Sequence, residues 1–207
     1  PEFTDVFDRL GAAVHSLKEV TETQVIHIAA LPSIAQLWLS ARLPRLRAEN
    51  PNVQFSVTAL EQPPNLLRDM FDWSLFLEHP AGSGGIALDH DEIFPVCAPS
   101  LADSIKTPQD LTAHSLLIDE TWAGDWDVWA SAANWNRPAS IKSARFSLYA
   151  LALEEARNGA GILMGHKSLV HADIETGRLI APFDLKVKTG LCLLLRSTFR
   201  GRGIAES

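Results

Sequence analysis

The hydrophobic and polar residues between Val25 and Glu61 follow a pattern that predicts one strand–helix–strand unit. The first residues of this stretch are apolar and rich in β-branched side chains, as in a parallel strand that is buried on both faces. A long amphipathic stretch follows, and Asn50 with the proline after it marks its end. Apolar and polar residues then alternate from Val53 to Val57, which is the period of a strand.

The amphipathic stretch predicts one helix with two apolar stripes. Ser33 is expected to cap this helix, because its hydroxyl can accept a hydrogen bond from an unpaired N–H of the first turn. Pro44 predicts a bend rather than an end, since the apolar pattern continues beyond it. One stripe must pack on the sheet, so the second indicates a partner on the outer side. The stripes are Ile34, Leu37, Trp38 and Ala41, and Leu39, Leu43 and Leu46.

This unit also predicts a binding edge. Ligands of open parallel sheets bind outside the carboxyl ends of the strands, which here are Ala30–Ser33 and Leu60–Gln62. The start of a helix favours an anionic group, although the same residues are also explained by a helix capped for stability alone. Glu61 is placed to accept a hydrogen bond from an ammonium group, and the alternative is a solvated loop carboxylate. An anionic group at the helix start and an ammonium group at Glu61 would together suit an amino-acid-like ligand.

The second half of the chain repeats the order of strand, polar residue and helix. Ser115–Asp119 predicts a strand whose carboxyl end delivers Glu120, Thr121 and Trp122 to the ligand edge, if this half is built like the first. Ile141–Phe146 predicts another strand, followed by a helix to Asn158. At that junction Ser147 or Tyr149 is expected to present a hydroxyl to the ligand, with a surface or interface position as the alternative for Tyr149.

Further local signals predict the remaining elements. Thr107 and Pro108 are typical of a helix start, and Asp125 is expected to cap a helix that carries Trp126 and Trp129 into the core. Other predictions are a short helix over Asn65–Phe71, separate strands over Ile86–Leu88 and Glu92–Ala98, a strand over Gly161–Met164, a helix over Lys167–Glu175 stopped by Gly177, and a long strand over Val187–Arg196.

Composition excludes several classes of protein. The 207 residues are 46% hydrophobic and 21% charged, an ordinary globular composition, and the net charge of −7 disfavours nucleic-acid binding by these residues themselves. No stretch reaches the length of a membrane span, and the given N-terminal residues lack the charged-then-apolar pattern of a signal peptide. Cys97 and Cys192 are far apart, which favours two free thiols in a reducing compartment. We therefore expect a cytoplasmic protein that does not contact a membrane.

The sequence contains no catalytic motif that we can identify. H-E-x-x-H, G-x-S-x-G and P-loop patterns are all missing from the 207 residues. His166 and His171 are five residues apart and would not share one face of a helix, so a metal site is not expected. We therefore expect no enzyme activity, no catalytic residue and no cofactor.

The N-terminal segment carries a short heptad pattern in its apolar residues. Its positions are Phe3, Phe7, Leu10, Val14 and Leu17. Two heptads are too few for a convincing coiled coil, so an amphipathic helix that packs on its own domain is the alternative.

The order of motifs along the chain resembles the effector-binding domain of LysR-type transcriptional regulators, and most closely the subgroup of the glycine-cleavage and β-lactamase regulators. The resemblance covers about residues 24–196. The motifs that carry it are Leu31–Leu39, Leu43–Leu46, Asn50–Val53, Asp72, Pro95–Leu101, Thr107–Leu111, His114–Ile118, the Trp126/Trp129 pair, Ala156–Gly161 and Gly177–Leu179.

The resemblance implies an α/β fold with two Rossmann-like lobes joined by crossover strands, similar to type 2 periplasmic binding proteins. It implies the end of a linker helix over residues 1–22, lobe I over 23–95, lobe II over 96–186, and a return to lobe I over 187–207. That last segment would lack the final helix usual in the family. A winged helix-turn-helix that binds DNA would precede these residues.

The implied function is a regulatory sensor that binds a small-molecule effector, carboxylate or amino-acid-like, in the cleft between the lobes. A homodimer or homotetramer is expected, with DNA bound only through the missing helix-turn-helix. The alternative is a type 2 periplasmic solute-binding protein, which a signal peptide upstream would indicate. The heptad pattern favours the sensor. Candidate ligand residues are Leu31, Pro32, Ser33, Glu61, Cys97, Thr121, Trp122, Phe146, Ser147 and Tyr149. Candidate dimer residues are Gln36, Leu39, Arg42, Leu43 and Leu46.

Overall fold

The computed structural model describes residues 24–80 and 85–197, so the predicted N-terminal helix and the C-terminal tail lie outside the described residues. The strands are β1 Gln24–Ala30, β2 Val53–Ala59, β3 Trp73–Glu78, β4 Ile86–Val96, β5 Leu116–Asp119, β6 Ser143–Phe146, β7 Ile162–His166 and β8 Val187–Ser197. The helices are α1 Ile34–Leu39, α2 Leu43–Glu49, α3 Pro99–Ala102, α4 Asp125–Ala132, α5 Tyr149–Arg157 and α6 Lys167–Glu175, and Pro108–Ala113 is a 3₁₀ helix.

The chain divides into two compact units. Unit 1 comprises Pro1–His90 and Gly190–Ser207, and unit 2 comprises Asp91–Thr189. The chain passes from one unit to the other within β4 and returns within β8. The sequence predicted boundaries after residues 95 and 186, and the division between the units lies within β4 and β8. β4 is one continuous strand of 11 residues, where the sequence predicted two.

Unit 1 contains the predicted strand–helix–strand arrangement. β1 lies between β2 and β3 and is parallel to both, while β3 pairs with β8 in the antiparallel sense. The buried residues of this unit include Ile26 and Ile28 of β1 and Trp73 and Leu75 of β3, each at most 1% exposed. The prediction that β1 is buried on both faces is confirmed only for its carboxyl half, Ile28 to Ala30, because Val25 and His27 are exposed.

The predicted bent helix is instead two helices, and the prediction of two separate apolar stripes along it is wrong. The first, α1, is a π-helix in which the N–H of Ser40 donates to the carbonyl of Ala35 over 3.0 Å. This wider turn shifts the following side chains around the axis, and Leu39 is buried with Ile34 and Trp38. Pro44 lies in the first turn of α2, where its missing N–H costs nothing, so it begins a helix.

The first residues of α1 also differ from the prediction. Ser33 has helical dihedral angles, φ −63° and ψ −40°, and its side chain makes no capping hydrogen bond. The predicted cap is therefore wrong, because a capping residue keeps non-helical dihedrals so that its side chain can turn back to the first N–H groups.

Unit 2 has a parallel core of its own. β5 lies between β6 and β7 and is parallel to both, and β7 pairs with β4 in the antiparallel sense. Trp126 and Trp129 of α4 are 1% and 0% exposed, which confirms their predicted place in the core. Asp125 is the first residue of α4, one position after the cap Gly124, so it does not cap the helix as predicted.

Several local predictions are confirmed and one is wrong. Thr107 precedes the 3₁₀ helix and its N–H donates to the carboxylate of Asp110 over 2.7 Å. Gly177 follows α6 with a φ of +70°, as a helix stop requires. The helix predicted over Asn65–Phe71 is a turn, since the carboxylate of Asp69 binds the N–H of Asn65 and closes the segment. None of the helices in the described part of the chain is long and apolar enough to span a membrane.

Candidate functional site

The carboxyl end of β1 in unit 1 carries a buried hydroxyl. The N–H of Leu31 donates to the carbonyl of Leu75 over 3.1 Å, which fixes the chain as it leaves β1. Ser33 is 4% exposed, and its Oγ has no hydrogen-bond partner among residues 24–80 and 85–197. The N–H of Leu60 donates to the carbonyl of Ala30 over 2.9 Å, so the ends of β1 and β2 adjoin.

Two further candidates of unit 1 lie just after the ends of β1 and β2. Pro32 is half-buried beside Ser33, and Glu61 is exposed one residue after the bond that joins the strand ends. Unit 1 therefore supplies one buried, unsatisfied hydroxyl and one solvated carboxylate near the same strand ends.

Unit 2 contains a buried ion cluster centred on His166, at the end of β7. The Nδ1 atom of His166 lies 3.0 Å from Oδ2 of Asp91. Its Nε2 atom lies 3.1 Å from Oδ2 of Asp125, although these two atoms are not aligned for a hydrogen bond. The hydroxyl of Thr189 also donates to Oδ2 of Asp91, over 2.9 Å. Thus one imidazole lies between carboxylates of β4 and α4.

The charges of this cluster favour a protonated His166. Burial alone lowers the pKa of the imidazole, but the contacts with Asp125 and Asp91 outweigh burial and raise the pKa to about 9. His166 therefore carries a positive charge at neutral pH, and this charge compensates part of the negative charge of the two carboxylates.

Tyr149 connects α5 to the same strand. Its hydroxyl donates to the carbonyl of Met164 over 3.1 Å and accepts the N–H of His166 over 3.3 Å. Burial raises the pKa of this phenol above its ordinary value, so it remains neutral. The hydroxyl was predicted to face a ligand, but both of its hydrogen bonds are made within unit 2. The part of Tyr149 that faces the site is its ring.

Asp119 supplies a third carboxylate at the end of β5. Its Oδ1 atom accepts the N–H of Thr121 over 2.9 Å, while its Oδ2 atom is buried without a hydrogen-bond partner in the described part of the chain. Burial raises the pKa of Asp119, and this rise is opposed by the N–H and hydroxyl groups of Thr121, the N–H of Trp122 and the charge of His166. The carboxylate is therefore held by donors of Thr121 and Trp122, while its Oδ2 atom lacks a geometric hydrogen bond in the described residues.

These groups enclose a small pocket in unit 2. The ring of Trp122 lies 4.0 Å from the ring of His166 and 5.4 Å from that of Tyr149, centroid to centroid. The cavity volume is about 10 Å³, which is room for about one water molecule. Its polar side is formed by Asp119, Trp122, Asp125, Tyr149 and His166, and its apolar side by Leu117, Trp126, Leu163 and Met164.

The structure gathers some of the predicted ligand residues of unit 2 and separates others. Trp122 and Tyr149 line the pocket, and Thr121 binds the carboxylate of its wall. Phe146 lies beside Asp119 in the register of β5 and β6, and Ser147 is exposed at the start of the next turn. Sequence reasoning did not assign Asp91, Asp119, Asp125 or His166 to a site. The positions of Asp119 and His166 at predicted strand ends were the signal that could have found two of them.

Cys97 has a different environment from the other candidates. Its side chain is completely buried in the core cluster of unit 2, and burial raises the pKa of its thiol to about 11. Its backbone pairs with Ile180 in an isolated bridge. We therefore leave Cys97 out of the proposed ligand surface.

Two of the predicted dimer residues are buried inside unit 1. Leu39 and Leu46 are both 0% exposed, because the π-helix and the break before α2 turn them towards the core. Gln36 is exposed, and Arg42 and Leu43 are half-buried. The guanidinium of Arg42 covers the ring of Trp38 at 4.1 Å and donates to the carbonyl of that residue. Only Gln36, Arg42 and Leu43 remain available to a partner.

The described residues contain no group of three or more histidine, cysteine, aspartate or glutamate side chains arranged to hold a metal ion. The carboxylates of Asp91 and Asp125 lie within 3.1 Å of the imidazole of His166, and such an arrangement of charges can bind a polar or charged ligand.

Comparison with known proteins identifies the family. The model of the LysR substrate binding domain matches residues 21–202, and the chain belongs to this family. It is 29% identical to the uncharacterized HTH-type transcriptional regulator y4mQ of Sinorhizobium fredii, over 86% of this chain and 60% of that protein. It is 27% identical to the glycine cleavage system transcriptional activator of Escherichia coli K12, over 88% of this chain and 61% of that protein. The chain thus spans about 60% of the length of these relatives.

Solved structures agree on the fold. The effector domain of the transcriptional regulator AmpR of Pseudomonas aeruginosa superposes with a TM-score of 0.70 at 24% identity, covering 87% of this chain and 89% of that one. The AmpR effector binding domain from Citrobacter freundii gives 0.72 at 18% identity, covering 87% and 92%. The predicted α/β fold of the type 2 periplasmic-binding-protein kind is confirmed. These relatives are transcriptional regulators, so a transport protein is not favoured.

Proposed function

We propose that this effector-binding domain senses a small carboxylate or amino-acid-like molecule, and that its occupancy controls DNA binding by the whole regulator. DNA would be bound by a winged helix-turn-helix outside these 207 residues. Membership of the LysR family supports a regulatory role, and the net charge of −7 is unsuited to direct contact with DNA. A cytoplasmic location follows from this role, and cell fractionation of the full-length protein tests it.

The buried hydroxyl of Ser33 is the observation that carries the proposal for the ligand. A buried polar group without a hydrogen bond costs about 1–3 kcal/mol, and native proteins retain few such groups. The hydroxyl of Ser33 lies just beyond the carboxyl end of β1, where ligands of parallel sheets bind. A carboxylate or other oxygen of an effector would satisfy it, and the exposed Glu61 and half-buried Pro32 are neighbours that the ligand can contact.

The experiment is thermal unfolding of the chain against a panel of small carboxylates and amino acids. A ligand at one hundred times its dissociation constant adds about 2.7 kcal/mol, or roughly 5–10 °C in the midpoint for a chain of this size. Ser33→Ala should remove this shift. Ser56→Ala is the matched control, because Ser56 is exposed on β2. A shift that survives Ser33→Ala would contradict the role of this hydroxyl.

We also propose that the domain forms a homodimer or homotetramer through the outer surface of α1 and α2. The exposed Gln36 and the half-buried Arg42 and Leu43 support this surface, whereas Leu39 and Leu46 are removed from it by their burial. Sedimentation of the wild-type chain and of Leu43→Glu tests the proposal. A mass that does not change on substitution would place the contact elsewhere.

A further inference from the structure

The pocket of unit 2 has the dimensions and the wall chemistry of a site for one small polar head group. Its volume of about 10 Å³ suits a single water-sized group, and an ammonium group has about this size. Asp119 and Asp125 contribute carboxylates, while Leu163 and Met164 supply an apolar side against which an alkyl chain can lie.

The charges around the pocket leave one carboxylate, Asp119, outside the ion pairs of His166, whose charge acts on it without direct contact. His166 contacts Asp91 at 3.0 Å and Asp125 at 3.1 Å, so its positive charge is shared by these two side chains. Asp119 is 5% exposed, and its Oδ2 atom has no hydrogen-bond partner in residues 24–80 or 85–197. A buried carboxylate is costly without a cationic or hydrogen-bonding partner. A group with N–H donors and a positive charge would supply both.

Two observations favour an organic ammonium group over a metal ion. The described residues contain no set of side chains arranged for a metal, as stated above. The pocket wall also contains the rings of Trp122 and Tyr149, 5.4 Å apart and inclined at 77°. Aromatic rings attract alkylammonium cations, which bury methylene groups against the ring while the charge meets a carboxylate.

We propose that the pocket of unit 2 binds the ammonium group of an amine-bearing effector, with Oδ2 of Asp119 as its acceptor and Trp122 as its aromatic wall. This inference rests on the proposed effector-sensing function and narrows the ligand to amines. It moves ammonium recognition from Glu61, which is exposed, to Asp119, which is buried. The carbonyl of Met164 is already an acceptor for Tyr149, and Oδ2 of Asp125 lies 3.1 Å from the imidazole of His166. Among the acceptors of the described wall, Oδ2 of Asp119 therefore has neither a hydrogen bond nor an ion pair.

The test compares amino acids with hydroxy acids that differ from them only in the amino group. The probes are glycine with glycolate and L- and D-alanine with L- and D-lactate, titrated calorimetrically into the 207-residue chain. A hydrogen bond between charged groups predicts that at least one amino acid binds roughly 10- to 100-fold more tightly than its hydroxy acid. Asp119→Asn should abolish this preference. Glu155→Gln is the control, because it removes an exposed carboxylate from α5.

The outcomes separate this inference from the wider proposal. If amino acids and hydroxy acids bind equally well and Ser33→Ala still weakens both, the ammonium site is overturned and the effector site of unit 1 stands. That result would indicate a water molecule in the pocket. An amine preference retained in Asp119→Asn would overturn the role of that carboxylate. If Ser33→Ala leaves binding unchanged and Asp119→Asn abolishes the preference for amines, the pocket of unit 2 is supported and the site in unit 1 is contradicted.

A second measurement covers the case in which Asp119→Asn fails to fold. Methylammonium chloride is titrated into the ¹⁵N-labelled wild-type chain, with sodium chloride as the control for ionic strength. The amide signals of Thr121 and Trp122, whose N–H groups act on the Asp119 carboxylate, should shift with methylammonium alone. Identical shifts in both salts would overturn the proposal.

Discussion

The carboxyl ends of two strands with parallel neighbours on both sides, β1 in unit 1 and β5 in unit 2, have equivalent places in their own units but carry different chemistry. β1 leads to Ser33, a neutral hydroxyl that is buried without a hydrogen-bond partner in the described residues. β5 ends at Asp119, a carboxylate that shares its surroundings with His166 and two other carboxylates. Both strands have parallel neighbours on either side, so the difference comes from side chains and not from backbone topology.

The difference shows how each unit can respond to its surroundings. A neutral hydroxyl changes only when a ligand reaches it, because it does not titrate near neutral pH. A buried ion cluster changes with pH as well, since each proton gained or lost alters the charge that must be compensated. We therefore expect unit 2 to carry the pH dependence of the domain, while unit 1 is insensitive to pH at its strand end.

The largest effect should follow from removal of the cationic partner in unit 2. His166→Gln leaves Asp91 and Asp125 buried without their positive charge, and breaking a buried ion pair in this way costs about 3–5 kcal/mol. Urea unfolding at pH 6 measures the loss. The control is His171→Gln, because His171 pairs with Glu175 on a partly exposed face of α6 and should lose under 1 kcal/mol. Equal losses in the two variants would contradict the special role of His166.

The next effect is the pH dependence of stability. The pKa of His166 is raised to about 9 in the folded chain, from about 6.5 in an unfolded one. Its contribution is therefore complete below pH 6.5, and it is lost as the pH rises through 9. The free energy of unfolding should fall by about 3 kcal/mol over this range. Urea titrations at pH 6, 7.5 and 9.5 measure it, and a profile that His166→Gln leaves unchanged would assign the effect to another group.

The smallest effect should be at Ser33 of unit 1. Ser33→Ala removes a buried hydroxyl that has no hydrogen-bond partner among residues 24–80 and 85–197, so the ligand-free chain should become more stable by about 1 kcal/mol. When the effector is present, the same substitution should also remove the stabilisation that binding provides. This loss is opposite in sign to the gain in the ligand-free chain. Urea unfolding of the ligand-free variant beside Ser56→Ala measures the gain. A destabilised Ser33→Ala chain would mean that the hydroxyl already has a partner, such as a bound water.

Much of the fold was predictable from local signals. The apolar run of β1 and the alternation of β2 predicted the parallel pair, and Gly177 marked the end of α6 through its need for a positive φ. The failures came where two local signals conflicted. The stretch from Ile34 to Leu46 has the period of one helix, but a π-helical turn and a proline at the start of α2 divide it. Periodicity cannot reveal a wider turn, because that turn itself changes which residues share a face.

The candidate site was less predictable than the fold. Trp122 and Tyr149 were expected from their places after predicted strands, and the pocket contains both. Cys97 was also a candidate, near the carboxyl end of the predicted strand Glu92–Ala98, yet its side chain lies in the core. A strand end fixes where the backbone is, whereas the packing of neighbouring elements decides whether a side chain faces the core or a ligand.

The sequence by itself determined the family, the α/β class and the strand ends at which ligands can bind, because these depend on residue order and on short periodic patterns. Tertiary structure alone decided that Asp91, Asp125 and His166 meet. Asp91 and His166 are separated by 75 positions along the chain, and no local pattern links them. Their contact exists because β4 and β7 pair in the antiparallel sense while α4 begins nearby, and burial then makes the charges depend on one another.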